Sequence, residues 1–447
     1  MRPNQEILKE VKDKGIELIR FVYLDADGVV RGYVTTAEEL EGDLNVGHPL
    51  SAAMPFFSVL DTIAPEAGFG CVGEVAALPD PETFTVLPYA SHSALLICDL
   101  VTKADHDPTG LCTRSALKEY LSGLDFQVRA AFENEFYLLR RDDAGGPVPF
   151  DLSLCFATSG MNLQHELALE IIRALKAQGM RVEKYYPEYG RGQVEIVYGH
   201  DQALRTADNQ LLFRETLRGV AQAHGLIASL MPKPFPDLAG SGAHLHLSLW
   251  QEGRNVFYDP EEENGISSMA RHFIGGLLAH LPALCAFTAS TVNSYKRLLP
   301  HSWASAYACH GLDNREAAVR TVTGMKGREE KTFNLELKPV DGACNPYLAL
   351  VTALAAGMDG IERGLEPGEP VMSDPHDLAP EERSRRGIVR LPESLGLAVE
   401  ALEADRFFEN VLGETFYNEY LKIKKFAWKE YLHQVTDWER LHYLEAF

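Results

Sequence analysis

The strongest constraint on the fold is a set of short segments that alternate strictly between apolar and polar side chains. In the clearest of them, Ala243–Leu249, the polar positions are His244, His246 and Ser248, and leucines occupy the positions between them. Successive side chains of a strand point to opposite faces. The segment therefore predicts a strand with one apolar face and one polar face.

Three further segments place carboxylates on the polar face of a strand or beside a strand turn. They are Phe132–Tyr137 with Glu133 and Glu135, Phe333–Lys338 with Asn334, Glu336 and Lys338, and Pro187–Val197 with Glu188 and Glu195. One such strand is readily explained by a polar face in water. Four of them favour a polar funnel that holds ions, and mostly oxygen ligands with one or two imidazoles suit Mg²⁺ or Mn²⁺ better than zinc. Two such ions can neutralise phosphates during phosphoryl transfer.

Basic side chains form a second group of candidate site residues. Arg297 follows the polar run at Asn293, and Arg315 and Arg320 lie five residues apart before the predicted strand at Phe333. These charges are either solvated surface groups or ligands for phosphates and carboxylates, which arginine binds through two parallel hydrogen bonds.

The charge balance limits the classes of partner. The 447 residues include 42 basic and 64 acidic side chains, which gives a formal charge of −22. Nucleic acids and anionic membranes require a basic surface, so we expect neither as a partner. Anionic small substrates remain possible because bound Mg²⁺ supplies positive charge locally.

Cysteine usage and the absence of targeting segments indicate the compartment. The seven cysteines are widely spaced and form no C-x-x-C pattern, which predicts reduced thiols rather than disulfides or a zinc site. The N-terminal residues contain no apolar run typical of a signal peptide. No stretch approaches the length of uncharged apolar sequence that spans a membrane. We therefore expect a cytoplasmic protein.

The chain divides into a short first part and a long second part. Asp25–Gly28 supplies turn chemistry between two predicted strands, and residues 1–104 as a whole predict a small mixed α+β unit. Predicted helices and strands alternate from about residue 113. A buried helix is expected to begin near Pro346, because proline is favoured in the first helical turn.

These segments together resemble the glutamine synthetase family over nearly the whole chain. The motifs that carry the resemblance are Glu133 with Glu135, the turn from Glu188 to Glu195, MPKPFPDLAGSGAHLH, NSYKRLLP, DNREAAVR and LELKPVDGACNPYLA. The resemblance implies an α+β protein with an N-terminal β-grasp domain, residues 1–104, and a large catalytic domain with a metal-lined β funnel, residues 105–447. It also implies a homo-oligomer built as a double ring, a dodecamer, with each active site between neighbouring subunits.

The resemblance also assigns roles to the candidate residues. It implies two or more Mg²⁺ or Mn²⁺ ions, one held by Glu135, Glu188 and Glu195 and another by Glu133, His244 and Glu336. Glu183, His246 and Ser248 match nucleotide-binding positions, and Arg315 and Arg320 match arginines that bind ATP and the transferred phosphoryl group. Arg297, Gly240 and Lys338 match positions that contact glutamate. Lys338 replaces an arginine there, and Ala239 replaces an asparagine beside Gly240.

The sequence departs from the family where ammonia should bind. Glutamine synthetases carry a flap glutamate that helps to bind and deprotonate ammonium, and Trp303 occupies that position here. An indole accepts no proton, although its face can hold a cation or an alkyl chain. The family's second ammonium-binding acid is also missing from the matching stretch around Ser51. His301 is either a substitute base or an ordinary exposed loop histidine, and His376 stands where enterobacterial enzymes carry an adenylylated tyrosine.

An ATP-dependent glutamate–amine ligase that acts through a γ-glutamyl phosphate intermediate fits this pattern best. Its acceptor is expected to be an amine larger than ammonia, such as a polyamine, ethanolamine or an alkylamine. The alternatives are a glutamine synthetase that uses ammonia and a noncatalytic ring protein of the same family, which would be expected to have lost metal ligands.

Overall fold

The computed structural model describes residues 2–447 and confirms a mixed α+β fold. Its helices are α1 Asn4–Asp13, α2 Leu40–Val46, α3 Thr113–Ser122, α4 Thr158–Ala177, α5 Ala203–Ala223, α6 Ser268–Thr288, α7 Glu329–Thr332, α8 Pro346–Arg363, α9 Pro380–Arg385, α10 Leu395–Ala404, α11 Phe407–Leu412, α12 Glu414–Leu432 and α13 Asp437–Tyr443. Its strands are β1 Leu18–Leu24, β2 Val30–Thr36, β3 His48–Ser51, β4 Glu74–Pro79, β5 Thr85–Val86, β6 Ser93–Val101, β7 Gln127–Arg141, β8 Pro147–Pro149, β9 Val182–Pro187, β10 Gln193–Tyr198, β11 Asp201–Gln202, β12 Ile227–Ser229, β13 Ala243–Gln251, β14 Arg254–Asn255, β15 Tyr307–Ala308, β16 His310–Leu312, β17 Val319–Val322, β18 Asn334–Leu337 and β19 Val389–Arg390.

A six-stranded mixed sheet occupies the first hundred residues. Its order is β2-β1-β6-β4-β3, and β5 pairs with β6. The predicted hairpin is present, with β1 and β2 antiparallel and Leu24 opposite Val30, while β1 and β6 run parallel. Ile7 and Val11 of α1 join the apolar cluster under this sheet.

An eleven-stranded sheet carries the predicted polar faces. Its order is β16-β17-β18-β13-β7-β10-β9, with β8, β11 and β12 paired to β7 and β14 paired to β13. The leucines of β13 belong to the main core, together with Phe136 and Phe213. Their burial confirms that one face of this strand is apolar, and it turns His244 and His246 to the opposite face.

Helices α6 and α8 contribute many of the buried residues of the main core. Helix α8 begins at Pro346 as predicted, and the Asn345 side chain caps it by accepting the backbone N–H groups of Tyr347 and Leu348.

Helix α6 corrects the expectation that no segment is long and apolar enough to cross a membrane, because by length and composition alone this helix could do so. In its most apolar window 72% of the residues are buried inside the protein, which is typical of a core helix that is apolar on all sides.

Buried ion pairs connect the small sheet to the rest of the chain. The Arg114 guanidinium lies 2.9 Å from carboxylate oxygens of Asp80, Asp99 and Asp208. Lys424 of α12 is buried against Asp27 in the β1–β2 turn. The division at 104/105 falls between the two sheets and stays a prediction. All seven cysteines are free thiols, and most of them are buried.

Candidate active site

Strand register brings the polar faces of the large sheet together. Glu133 of β7 lies opposite His244 of β13, and His246 lies opposite Glu336 of β18. On the other side of β7, Glu135 pairs with Glu195 of β10. The alternation seen in single segments therefore becomes one continuous polar surface across four strands.

Two imidazoles and two carboxylates form the inner cluster, Glu133, His244, His246 and Glu336. His244 Nδ1 lies 3.5 Å from Glu133 Oε1 and 3.2 Å from Glu336 Oε1. Ligand atoms of Glu133, His246 and Glu336 all lie within 4.8 Å of one another. Such a group is compact enough to surround a single cation.

The inner cluster has polar atoms that no protein group satisfies. His244 Nδ1 and His246 Nε2 are buried and make no well-formed hydrogen bond with any described residue. An unsatisfied buried nitrogen is unfavourable, so these atoms indicate a missing ligand. Burial alone lowers the pKa of His244, but the adjacent Glu133 and Glu336 carboxylates raise it above its usual value. A divalent cation would provide the positive charge that these carboxylates attract.

Three glutamates form the outer cluster, Glu135, Glu188 and Glu195. Burial, then repulsion from Glu133 and Glu135, raises the pKa of Glu195. Burial, then the charge of Glu135, likewise raises the pKa of Glu188. Like charges crowded in this way ionise together only when a cation lies between them.

Neighbouring groups hold the outer cluster in place. The Glu135 carboxylate accepts the Gly242 N–H at 2.8 Å and a weaker hydrogen bond from Gln193 at 3.3 Å. The Tyr186 hydroxyl donates to Glu195. Sequence reasoning did not single out Gln193 or Tyr186, although Gln193 lies inside the motif that ends at Glu195.

The donor sets fit the predicted divalent cations. Together the two clusters consist of five carboxylates and two imidazoles, a composition that suits Mg²⁺ or Mn²⁺. The compact trio contains His246 and not the predicted ligand His244, although His244 Nδ1 also lies within 3.5 Å of both acids. The assignment of one imidazole to metal and the other to nucleotide stays a prediction.

The predicted glutamate-binding residues line the same region. Arg297 is buried and donates to the backbone carbonyls of Lys338 and Val340 at 3.1 and 3.0 Å. A Cβ at Gly240 would overlap the Arg297 side chain, so only glycine permits this approach. Lys338 Nζ lies 3.2 Å from Glu336 Oε1, which joins it to the inner cluster.

The two arginines of the DNREAAVR motif lie in different surroundings. Arg320 Nη1 donates to Glu336 Oε2 at 2.9 Å, and its Nε is buried without a partner among the described residues. Arg315 is exposed, with its guanidinium carbon 5.9 Å from the centre of the Trp303 ring. Arg320 therefore lies at the inner cluster, and Arg315 lies beside the flap, residues Pro300–Ser305.

The predicted nucleotide-binding residues are less closely grouped. His246 Nδ1 lies 2.8 Å from Asn334 Oδ1, and the Ser248 hydroxyl accepts the Trp250 indole N–H at 2.9 Å. Glu183 is exposed and pairs with Arg181 at 2.7 Å. The structure does not bring Glu183 into either carboxylate cluster, and its nucleotide role stays a prediction.

The flap contains the residues that depart from the family pattern. Trp303 is 65% exposed, and His301 Nδ1 pairs with Asp374 Oδ2 at 2.8 Å. The backbone N–H of Trp303 donates to the Glu316 carboxylate at 2.8 Å. Sequence reasoning missed Glu316, and the only signal was a single acid between two arginines of a basic motif.

Comparison with known proteins adds an independent line of evidence. The family model of the glutamine synthetase catalytic domain matches residues 110–443, and that of the glutamine synthetase N-terminal domain matches residues 3–108. A glutamine synthetase of Halobacterium salinarum is 36% identical, and the alignment covers 99% of this chain and 96% of that protein. A gamma-glutamylpolyamine synthetase of Streptomyces coelicolor is 34% identical over 90% of this chain and 88% of that protein.

Solved structures agree with these sequence matches. A GmaS–ADP complex superposes with a TM-score of 0.85 and 31% identity, covering 98% of this chain and 99% of that one. A structure described as a novel glutamine synthase homolog gives a TM-score of 0.84 and 34% identity, over 97% and 99% of the two chains.

Proposed function

Because the chain belongs to the glutamine synthetase family, we propose that it joins glutamate to an amine larger than ammonia in an ATP-dependent reaction. Membership of this family makes the protein an ATP-dependent ligase that forms carbon–nitrogen bonds. As the acceptor we propose a polyamine, ethanolamine or an alkylamine.

The observation that carries the proposal is the chemistry of the flap. Pro300–Ser305 contains no carboxylate, and an exposed indole, Trp303, stands where ammonia-using enzymes carry an acid. An aromatic face favours an alkyl chain or a large cation over ammonium, which is small and strongly hydrated. The similarity to a gamma-glutamylpolyamine synthetase supports the same acceptor class.

Ammonia remains the second candidate acceptor. Proteins named simply glutamine synthetase match at similar identity, including one from Thermus thermophilus at 35% over 99% of both chains. Overall similarity therefore does not separate the two acceptors, and the flap residues are the basis for preferring an amine.

We propose a reaction in two steps. The γ-carboxylate of glutamate attacks the terminal phosphorus of ATP, the bond to the β-phosphate oxygen breaks and ADP leaves, which gives γ-glutamyl phosphate. The amine then displaces phosphate from this acyl phosphate and loses a proton as the amide forms. Arg320 and Arg315 would hold the transferred phosphoryl group, and Arg297 with the Gly240 backbone would orient glutamate. Mg²⁺ or Mn²⁺, bound by the two carboxylate clusters, would supply the charge that offsets bringing a carboxylate to a triphosphate.

We also propose an oligomeric state and a cellular compartment from the similarity to the family. We propose a homo-oligomeric double ring in the cytoplasm, a dodecamer in which each active site lies between neighbouring subunits. The free cysteines are consistent with a reducing compartment.

Phosphate release with ATP, Mg²⁺ and glutamate tests the acceptor. The assay compares ammonium with a panel of amines at neutral to mildly alkaline pH, and reactions without glutamate serve as blanks. Strong stimulation by one amine and little by ammonium would support the proposal. Ammonium as the best acceptor would instead indicate a divergent glutamine synthetase.

A further inference from the structure

The proposed acceptor is a cation, yet the flap that should meet it contains no acid. An alkylamine resembles the lysine side chain, whose pKa is about 10.4, and it is protonated at neutral pH. Its binding therefore requires a negative group. Its attack on a carbonyl carbon requires a group that takes up its proton.

Two carboxyl groups form hydrogen bonds with the flap, Asp374 and Glu316. Both oxygens of Asp374 are occupied: Oδ2 lies 2.8 Å from His301 Nδ1, and Oδ1 accepts the His376 N–H at 2.8 Å. Asp374 is therefore already satisfied within the protein and is a poor candidate for a substrate ligand.

Glu316 differs from Asp374 because half of its carboxylate is unused. The residue is only 8% exposed, and Oε1 accepts the backbone N–H of Trp303 at 2.8 Å. Among residues 2–447, no group forms a hydrogen bond with Oε2. Oε2 is therefore free to accept a hydrogen bond from a donor outside the chain, as a carboxylate oxygen that reaches the surface can.

Glu316 contacts the flap and lies two residues before Ala318, whose carbonyl accepts the Lys338 backbone N–H at 3.0 Å. Burial, as the main cause, raises the pKa of Glu316. The hydrogen bond from the Trp303 backbone N–H opposes that rise, Asp374 adds to it, and the charges of Lys338 and His301 oppose it more weakly. Lys338 in turn is hydrogen-bonded to Glu336 of the inner cluster. A group bound at Glu316 would thus lie beside the flap, and the contacts of Lys338 with Ala318 and Glu336 link that position to the inner cluster.

The backbone of the flap is held in a rarely populated conformation. His301, Trp303 and Ser305 have φ values of 57°, 53° and 68°. A bulky residue in this region is unusual and persists only where its surroundings fix it. The hydrogen bonds of Trp303 N–H to Glu316 and of Ser305 Oγ to the Ala317 carbonyl supply that restraint. Glu316 therefore restrains the backbone that carries Trp303 as well as presenting its own charge.

We propose that Glu316 binds the ammonium group of the acceptor amine and accepts its proton, while Trp303 covers the alkyl part. This inference rests on the proposed function. Glu316 takes one proton from R–NH₃⁺, and the freed nitrogen lone pair forms a C–N bond to the carbonyl carbon of γ-glutamyl phosphate. The bond from that carbon to the phosphate oxygen breaks, phosphate leaves with the electron pair, and the second nitrogen proton passes to phosphate or water.

Glu316→Gln tests this role because glutamine keeps an acceptor for the Trp303 N–H and removes only the charge. The variant is assayed with the best cationic acceptor of the wild type and with hydroxylamine, which is mostly uncharged at neutral pH. We expect kcat/KM for the cationic acceptor to fall about 10²-fold or more, and that for hydroxylamine to stay within about threefold. KM for ATP and for glutamate should be unchanged. Glu381→Gln, which removes one charge from the exposed surface of α9, is the matched control.

Two outcomes would overturn the role of Glu316. Retention of activity with the cationic acceptor would show that its charge is not used, and an equal loss with both acceptors would show a purely structural effect. If Glu316→Gln does not fold, Glu316→Asp decides: a raised KM for the cationic acceptor alone supports the role, and an unchanged one removes it.

The design separates this inference from the proposed function. A wild type that releases phosphate best with ammonium would refute the larger amine, and the Glu316 experiment would then be run with ammonium as the cationic acceptor. A wild type without acceptor-stimulated turnover would refute the ligase reaction itself and the Glu316 role with it.

Discussion

Single carboxyl groups in the site differ in their readiness to ionise because their neighbours differ. Burial raises the pKa of Glu336, but Lys338 and His244 more than offset it, so the group stays ionised. Glu195 has acids rather than cations around it, and its pKa is raised. We therefore expect the outer cluster to depend on a bound cation more strongly than the inner cluster does.

Glu135 connects that outer cluster to the backbone of the Gly242 loop. We expect Glu135→Ala to abolish ATP turnover because a metal ion loses a carboxylate ligand. Glu135→Gln keeps an acceptor for the Gly242 N–H and should also be inactive, which separates loss of charge from loss of loop support. Phosphate release measures both variants beside Glu381→Ala, and normal turnover of Glu135→Ala would refute its role as a metal ligand.

Trp303 is the residue that we expect to set the acceptor preference. Trp303→Glu places a carboxylate in the flap, which favours a small cation over an alkyl chain. We expect kcat/KM for ammonium relative to the best amine to rise about tenfold, equivalent to about 1.4 kcal/mol. Trp303→Phe, which keeps an aromatic face, is the control, and an unchanged ratio in Trp303→Glu would remove this residue from the acceptor site.

Packing between elements is locally reinforced by a buried histidine. His280 of α6 lies 3.0 Å from Asp359 of α8 and 2.6 Å from Asp405, which precedes α11. Its ring stacks on Phe407, with ring centres 4.3 Å apart. Three helical segments beneath the sheet are therefore joined by one ionisable side chain.

The His280 contacts predict a pH-dependent stability. Burial lowers the pKa of His280, but its hydrogen bonds to Asp405 and Asp359 raise it above the usual value near 6.5. A raised folded-state pKa gives stability that is complete below pH 6.5 and is lost as pH rises through the folded value. We expect His280→Gln to lower the melting temperature most at pH 6 and least at pH 9. His165→Gln, at an exposed site, is the control, and a deficit that does not depend on pH would contradict the link.

At the scale of the whole molecule, buried ion pairs join the six-stranded sheet to the rest of the chain. Arg114 is 3% exposed and contacts carboxylates that come from both sides of the predicted domain boundary. The Tyr347 hydroxyl donates to Asp208 at 2.7 Å and extends this network to the start of α8. The network also fixes α8 relative to the β1–β2 turn, whose Asp25 carbonyl accepts from Asn345 at 2.9 Å.

Removal of one partner from a buried network leaves the others uncompensated. We expect Arg114→Met to lower the free energy of unfolding by about 3–5 kcal/mol. Arg385→Met, which breaks an exposed pair with Glu382, should leave it nearly unchanged because solvent screens that pair. Denaturant-induced unfolding measures both variants, and similar small shifts would show that Arg114 does not hold the two parts together.

Local sequence patterns are sufficient to predict the strand faces, the carboxylate and imidazole composition of the candidate site, and the family. A strand repeats every two residues, so His244 with His246 and Glu133 with Glu135 were necessarily on common faces. The predicted hairpin at Asp25–Gly28 and the helix start at Pro346 also depend only on local chemistry and are present. The metal and nucleotide assignments of the two imidazoles stay predictions.

Only the tertiary structure brought Glu316 to Trp303. The two residues lie 13 positions apart, on segments with no common repeat, and their contact requires an unusual flap backbone. The same is true of the His301–Asp374 pair, whose members are 73 residues apart. Local periodicity fixes which side chains share a strand face, whereas contacts between loops depend on how the chain closes in space, and the proposed acceptor site lies among those contacts.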